Sequence, residues 1–304
     1  MTGALRLGTR RSALAMAQAN LVADAIRSIN GRPVELVEIT THGDVSAEPL
    51  ARIGGTGVFV SALRDAILSG GVDLAVHSYK DLPTAPAQGL VIAAVPARED
   101  PRDALVARDS RKLADLPAGA VVGTGSPRRA AQLRATRPDL VIRPIRGNVD
   151  TRIGLVGSGE VDAVVLARAG LARLGRLDEA AEVLDVDEML PAPAQGALAV
   201  ECAGGTDLAV ELAALDDPAS RAAVEAERAV LAALEAGCSA PVGAYAEATD
   251  SEIFLRATVV STDGAARVRM STTGPVGNPR GLGESLAAMM LADGAAALVG
   301  ERHQ

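Results

Sequence analysis

Three stretches of the chain repeat one chemical pattern. An apolar run ends in Gly, Thr, Ser or Asn, an Arg stands close by, and a helical pattern begins. The first is Leu5-Arg6-Leu7-Gly8-Thr9-Arg10-Arg11-Ser12 and the second is Val122-Gly123-Thr124-Gly125-Ser126-Pro127-Arg128-Arg129. The third runs from Arg143 through Arg146-Gly147-Asn148 to Arg152. Ser12, Ser126 and Asn148 stand where a helix N-cap is expected. Pro127 suits the first helical position, where its missing N–H costs nothing. A helix N-terminus offers free N–H groups and a partial positive charge, so it favours anions. An adjacent Arg adds a planar fork that matches a carboxylate or phosphate. One such stretch alone is an ordinary cap beside a solvated charge. Three together suggest a site for several carboxylates.

A fourth stretch, Val72 to Pro83, delivers Lys80 and Asp81 where an apolar strand stops. In an extended chain these two neighbours point to opposite faces. An edge charge and a turn Asp before Pro83 would account for them structurally. Functionally, Lys80 would meet acidic groups, and Asp81 would steady a cation or move a proton. A carboxylate among several Arg tends to stay ionised, which suits holding a cation better than donating a proton. His77 reads as a packed strand histidine.

Two loops complete the candidates. Ile53 to Phe59 is Gly-rich but lacks the Gly-Lys-Ser/Thr ending of a nucleotide-binding loop. It reads as a flap, with Phe59 as its lid. Cys238 lies between Gly237 and Ser239-Ala240-Pro241, in a loop after a long helix, where a thiol can be accessible and reactive. Cys202, in Leu198–Cys202, reads as a buried strand cysteine.

Short apolar runs must alternate with amphipathic helices to position these residues, and they do, which predicts α/β. Strands are expected at 4–7, 34–40, 74–76, 90–95, 104–107, 121–123, 141–145, 163–166 and 197–201. Helices are expected at 13–29, 59–69, 128–136 and 151–158. After about residue 215 the texture changes. A helix at 220–235 precedes alternating strands at 243–248, 253–260 and 266–272, then a core helix at 283–299. That pattern predicts a small antiparallel α+β domain with one wet face. No repeat of fixed period is visible.

With 304 residues, two or three domains are expected. Hydrophobic residues make up 48% and aromatics 1%, so Ala, Val, Leu and Ile must build the cores. The net charge of −8 argues against general binding to nucleic acid or to an anionic membrane. Yet Arg128 to Arg152 contains seven Arg and two Asp, an anion site within an acidic protein. Two cysteines make no disulfide framework. No export signal and no apolar stretch of membrane-spanning length is seen, so a cytoplasmic protein with free thiols is expected.

These segments together resemble the porphobilinogen deaminase family. The resemblance rests on the opening Gly8-Thr9-Arg10-Arg11-Ser12, on Thr41-His42-Gly43-Asp44, and on Val76 to Pro83. It continues through Gly123 to Arg129, Arg146 to Arg152, Leu166-Ala167-Arg168-Ala169-Gly170-Leu171, Pro193-Ala194-Gln195-Gly196 and Gly237-Cys238. It implies two periplasmic-binding-protein-like α/β domains with a central cleft, plus a small C-terminal α+β domain. The expected division is 1–96 with 197–214, then 97–196, then 215–304. It implies a transferase, a hydroxymethylbilane synthase. Four porphobilinogen molecules are joined head to tail with loss of ammonia, and water releases the linear tetrapyrrole. The implied cofactor is a dipyrromethane in thioether linkage to Cys238. The implied cofactor and substrate ligands are Arg10, Ser12, Lys80, Thr124, Ser126, Arg128, Arg129, Arg146, Arg152, Arg173 and Gln195. Asp81 is the implied catalytic residue, facing pyrrole N–H groups and stabilising the cationic azafulvene left by ammonia. The implied partner is the small molecule porphobilinogen, with no metal, nucleic acid or membrane. The implied state is a monomer whose product passes to the next enzyme. Each pyrrole ring carries an acetate and a propionate, which is what the Arg-bearing helix starts would answer. Two residues depart from the family pattern: Thr56 stands where Lys is common, and Pro127 where Leu is.

The rival class is a binding protein that closes on a dicarboxylate or oxyanion. It would use the same Arg-bearing helix starts. It has no use for a loop cysteine or a third domain, and it would normally carry an export signal.

Overall fold

The computed structural model describes residues 3–40, 60–236 and 240–299. The chain divides into two compact units, Met1–Glu99 with Ala197–Arg221, and Asp100–Gly196 with Ala222–Gln304.

The first unit opens with β1 (Leu5–Thr9), α1 (Ala13–Asn30), β2 (Val34–Glu38), α2 (Ser61–Leu68), β3 (Leu74–Ser78) and β4 (Leu90–Ala94). The second unit then takes β5 (Asp103–Ala107), β6 (Val121–Gly123), α3 (Pro127–Thr136), β7 (Val141–Arg143), α4 (Val149–Gly157), β8 (Ala163–Ala167), α5 (Arg168–Arg173) and β9 (Glu182–Val183). The chain returns to the first unit with β10 (Leu198–Ala203) and α6 (Asp207–Leu212), and α7 (Pro218–Ala233) crosses the boundary. The second unit closes with β11 (Val242–Ala248), β12 (Glu252–Val260), β13 (Arg267–Pro275) and α8 (Pro279–Ala292).

The two five-stranded sheets share one plan. Their strand orders are β2-β1-β3-β10-β4 and β7-β6-β8-β5-β9. In the first, β1 pairs in parallel with β2 and β3, while β10 runs antiparallel to β3 and β4. In the second, β6 pairs in parallel with β7 and β8, while β5 runs antiparallel to β8 and β9. The fold is therefore α/β, with one architecture built twice. The sequence shows no such repeat, because equivalent buried positions can be filled by different apolar residues.

The inner strands of both sheets are buried on both faces and mostly apolar, as covered strands must be, while the edge strands β2 and β7 are partly exposed. Leu5, Leu7, Leu74, Val76, Leu198 and Val200 pack with Val22 and Ile26 of α1. In the second sheet, Leu105, Val122, Ala163 and Val165 fill one face, and Ala104, Val106, Val164 and Leu166 fill the other. The C-terminal strands form an antiparallel sheet in the order β11-β12-β13. Its core of Ala244, Ala257, Ile253, Leu255 and Val259 packs against Val230 of α7 and Leu286 and Met290 of α8. The antiparallel α+β piece is as expected.

Two local expectations change. The last helix was expected at 283–299 but spans Pro279–Ala292, with Asn278 accepting from the Gly281 N–H at 3.1 Å. Gly294 takes φ 91° and ends it, since glycine enters that region without a Cβ clash. Lys80 and Asp81 do not continue a strand. β3 stops at Ser78 and Tyr79–Asp81 form a 3₁₀ turn, so the opposite-face expectation does not apply.

Candidate functional site

All three expected caps are present. Ser12 accepts from the Ala15 N–H at 3.2 Å, Ser126 from the Arg129 N–H at 3.4 Å, and Asn148 from the Thr151 N–H at 2.9 Å. Each satisfies one of the donors that a helix start leaves open.

The sheets decide which of these ends are neighbours. β1 and β3 are adjacent and parallel, with Leu7 opposite Leu74. Arg10 and Ser12 therefore leave the same sheet edge as Lys80 and Asp81. Arg10, Ser12 and Lys80 are half-buried, and Asp81 is exposed. Below the turn, Gln18 of α1 donates to the Ser78 hydroxyl at 2.9 Å. On the opposite face His77 Nε2 lies 3.2 Å from Glu201 Oε2. Arg64 of α2 forks onto the same carboxylate, Nε at 3.1 Å and Nη2 at 2.9 Å. Burial alone would raise the Glu201 pKa, but hydrogen bonds from His77 and Arg64 and their charges outweigh it and lower it. The strand that carries Lys80 and Asp81 is thus held from both faces.

In the second unit, β6 and β7 are parallel neighbours, so the ends carrying Thr124–Arg129 and Arg146–Arg152 are adjacent. Thr124 is buried, and its hydroxyl accepts from the Ser126 N–H at 3.2 Å. A Cβ at Gly125 would lie 2.6 Å from the Ile145 carbonyl oxygen, so only glycine lets the two loops approach this closely. Arg146 is exposed. Arg152 is half-buried and donates through Nε to the Gly147 carbonyl at 2.8 Å. Arg173 on α5 donates through Nη2 to the Gly196 carbonyl at 2.5 Å.

Arg128, Arg129 and Gln195 meet at a residue the sequence reading passed over, Asp103. It begins β5 and is 0% exposed. Arg128 Nη2 donates to Asp103 Oδ2 at 2.8 Å, and Arg129 donates to Oδ1 through Nε at 3.0 Å and Nη2 at 2.7 Å. Gln195 Nε2 donates to the same Oδ1 at 2.8 Å and to the Pro101 carbonyl at 2.7 Å. Backbone carbonyls take the next bonds, Leu190 from Arg128 Nη1 at 2.6 Å and Val165 from Arg129 Nη1 at 3.0 Å. Burial alone would raise the Asp103 pKa. The charges of Arg128 and Arg129, with bonds from Arg129 and Gln195, outweigh it and hold the carboxyl well below the usual carboxylate range. The Arg128 guanidinium is drawn down from its ordinary value by burial, against the pull of Asp103.

Two guanidinium groups thus face one carboxylate, an excess of one positive charge in a buried place. The Arg128 Nε–H, moreover, is buried with no hydrogen-bond partner among the described residues. A buried charge wants a partner, and a buried donor wants an acceptor. One further carboxylate supplies both. The donor set therefore fits one carboxylate of a ligand.

The segment around Gln195 is itself pinned. Ala194 adopts φ +62°, and its N–H donates to Glu227 of α7 at 2.6 Å. The other Glu227 oxygen accepts from the Ala246 N–H of β11 at 2.7 Å. Glu227 was also missed by sequence reading. The lone acidic residue at a buried helix position was its only signal.

Phe59, Thr56, the Gly-rich flap, Thr41 to Asp44 and Cys238 lie outside the described residues. Cys202 is buried in β10, and burial, then the Glu201 charge, pushes its thiol up to about 11. It suits the structural role expected of it. Among the described residues no helix is long and apolar enough to cross a membrane, and no cluster of His, Cys, Asp or Glu could hold a metal.

Fold and site together define an α/β protein whose strand ends carry arginine-rich turns at capped helix starts. Residues 5–211 match the profile of the porphobilinogen deaminase, dipyromethane cofactor binding domain, and residues 221–292 match the porphobilinogen deaminase C-terminal domain. The chain belongs to the porphobilinogen deaminase family. It is 64% identical to Porphobilinogen deaminase 1 of Streptomyces coelicolor, over 99% of each chain. The Porphobilinogen deaminase of Thermobifida fusca is 62% identical, covering 88% of this chain and 85% of that one. That of Mycobacterium tuberculosis is 56% identical, over 98% of this chain and 100% of its own. Among solved structures, the methionine binding protein MetQ is 11% identical with a TM-score of 0.45, covering 69% of this chain and 89% of that one.

Proposed function

We propose that this protein is a hydroxymethylbilane synthase, a transferase that condenses four porphobilinogen molecules head to tail with loss of ammonia and releases the linear tetrapyrrole by hydrolysis. The observation that carries it is the buried pairing of Arg128 and Arg129 with the single carboxylate of Asp103, which leaves one positive charge and the Arg128 Nε–H to a ligand. The dipyrromethane, when bound, supplies the pyrrole carbon to which the substrate is added. Cys238 is its proposed thioether attachment. Arg128 and Arg129 would hold an acidic side chain of the cofactor. Ser126, Thr124, Arg146, Arg152, Arg173 and Gln195 would serve the remaining carboxylates, as would Arg10, Ser12 and Lys80, through charge-assisted hydrogen bonds. Phe59 would cover the site.

Asp81 is the proposed catalytic residue. Positive charge develops on the substrate's aminomethyl carbon and pyrrole nitrogen as ammonia leaves. A carboxylate placed at the pyrrole N–H lowers that barrier without bonding to the carbon. The exposed turn position of Asp81 supports this, since a substrate can reach it. We further propose three domains, 1–96 with 197–214, 97–196 and 215–304, in a cytoplasmic monomer whose product passes to the next enzyme.

Intact mass spectrometry tests the proposal. The purified protein is expected to carry the added mass of two linked pyrroles, absent from Cys238→Ala, and to release ammonia from porphobilinogen. An unmodified mass without ammonia release refutes it. Asp81→Ala is expected to load the cofactor but lose nearly all turnover, and near-normal kcat excludes the assigned role.

A further inference from the structure

We propose that Asp103 is the positioning residue of this site: its buried carboxylate aims Arg128 and Arg129 and sets their joint charge so that the pair accepts one further carboxylate. This rests on the function proposed above and goes beyond it, because Asp103 touches no ligand in that scheme.

The case starts from donor arithmetic. A guanidinium has five N–H groups and no acceptor, so it is oriented only by what receives them. Arg129 spends Nε and Nη2 on Asp103, and Nη1 on the Val165 carbonyl. Gln195 Oε1 accepts from Nη2 again, at 3.4 Å. Arg129 is thereby nearly consumed by the protein. Arg128 gives Nη1 to the Leu190 carbonyl and Nη2 to Asp103. It keeps Nε and one N–H on each terminal nitrogen, with Nε buried and unpartnered among the described residues. Asp103 therefore does two things. It anchors Arg129 as a strut, and it holds Arg128 through Nη2 alone, leaving its other donors unspent on the carboxylate.

The charge count gives the selectivity. Without Asp103, two buried positive charges a few ångströms apart would repel and would each need a separate anion. With it, one added carboxylate brings the cluster to neutrality, and a second would bury an unpaired negative charge. Gln195 fixes Asp103 Oδ1 without adding charge, which is why an amide and not an acid serves at that position.

The test uses protein made in cells that cannot supply porphobilinogen. Porphobilinogen is then added, and uptake of two pyrroles is followed by intact mass against its concentration. Two variants are compared with the parent, Asp103→Asn and the charge-compensated Asp103→Asn/Arg129→Gln. Loss of one charge-assisted anchor corresponds to about a ten- to hundredfold change in a binding constant. Both variants, where folded, are expected to need about ten- to hundredfold more porphobilinogen for half-maximal loading, with the maximal loading rate little changed. A merely structural role lowers the loaded fraction along with the folded fraction and leaves half-saturation where it was. Should Asp103→Asn fail to fold, the double variant is expected to fold, because it restores the parent cluster's net charge. A folded variant that loads at the parent concentration overturns the proposal. So does a double variant less stable than Asp103→Asn. A parent that gains no pyrrole mass at all refutes the proposed function instead.

Discussion

Replacing Glu227 with Ala removes the carboxylate that accepts two backbone N–H groups from different parts of the second unit. Glu227 is 0% exposed and accepts from Ala194 at 2.6 Å and Ala246 at 2.7 Å. A buried donor left without a partner costs about 1–3 kcal/mol. Two of them set the expected loss at about 2–6 kcal/mol. The upper part of that range is favoured at Ala194, whose φ of +62° is held against the ordinary preference of a residue with a Cβ. For a unit of this size the loss amounts to about 2–4 °C of Tm per kcal/mol. Glu227→Gln is the graded control. Its carboxamide keeps one acceptor but turns an NH₂ toward the other amide, so roughly half the loss should remain. Urea unfolding followed by far-UV circular dichroism measures both. Hydrogen exchange at the Ala194 and Ala246 amides should accelerate selectively. An alanine variant within about 0.5 kcal/mol of the parent, the range of neutral surface changes, would refute the accounting.

Glu201→Gln should reveal a pH-dependent contribution. The folded Glu201 pKa lies below its unfolded value, so its stabilisation is present above about pH 4.3 and is lost as pH falls through the folded pKa. The gap in urea midpoint between parent and variant should therefore stay level from neutral pH down and narrow below that point; a gap that widens in acid contradicts the sign. Gly125→Ala should cost about 1–3 kcal/mol by overpacking, because its Cβ would sit 2.6 Å from the Ile145 carbonyl, and an unchanged Tm would show that the loop yields freely. Ala194→Gly should hold or raise stability by relieving the left-handed backbone, whereas Ala226→Gly inside α7 should cost about 1 kcal/mol of stability; equal losses at both would exclude strain at Ala194.

Much was legible before any coordinates. The caps Ser12, Ser126 and Asn148 were visible because capping is local, a short side chain bonding a backbone amide three residues on. The strands were visible because burial on both faces leaves continuous apolar runs, and the antiparallel C-terminal sheet because one wet face leaves alternation. Even the approach of Lys80 and Asp81 to a strand end followed from spacing, though not the 3₁₀ turn that carries them. The last helix was misplaced because Asn278-Pro279 was passed over as a start and Gly294 as a stop.

The sequence by itself determined the element types, the helix starts, the acidic net charge with its arginine-rich stretch, and the family. Tertiary structure decided which strand ends are neighbours, and that both sheets follow one order although no residue pattern repeats. It also decided that Arg128 and Arg129 turn inward to Asp103, that Gln195 braces that carboxylate, and that Glu227 joins α7 to the loop before β10. Each of those contacts joins residues far apart in the chain, Arg129 to Asp103 across 26 positions and Glu227 to Ala194 across 33. A lone buried acid has no local signature, because the partners that make its burial tolerable come from other elements.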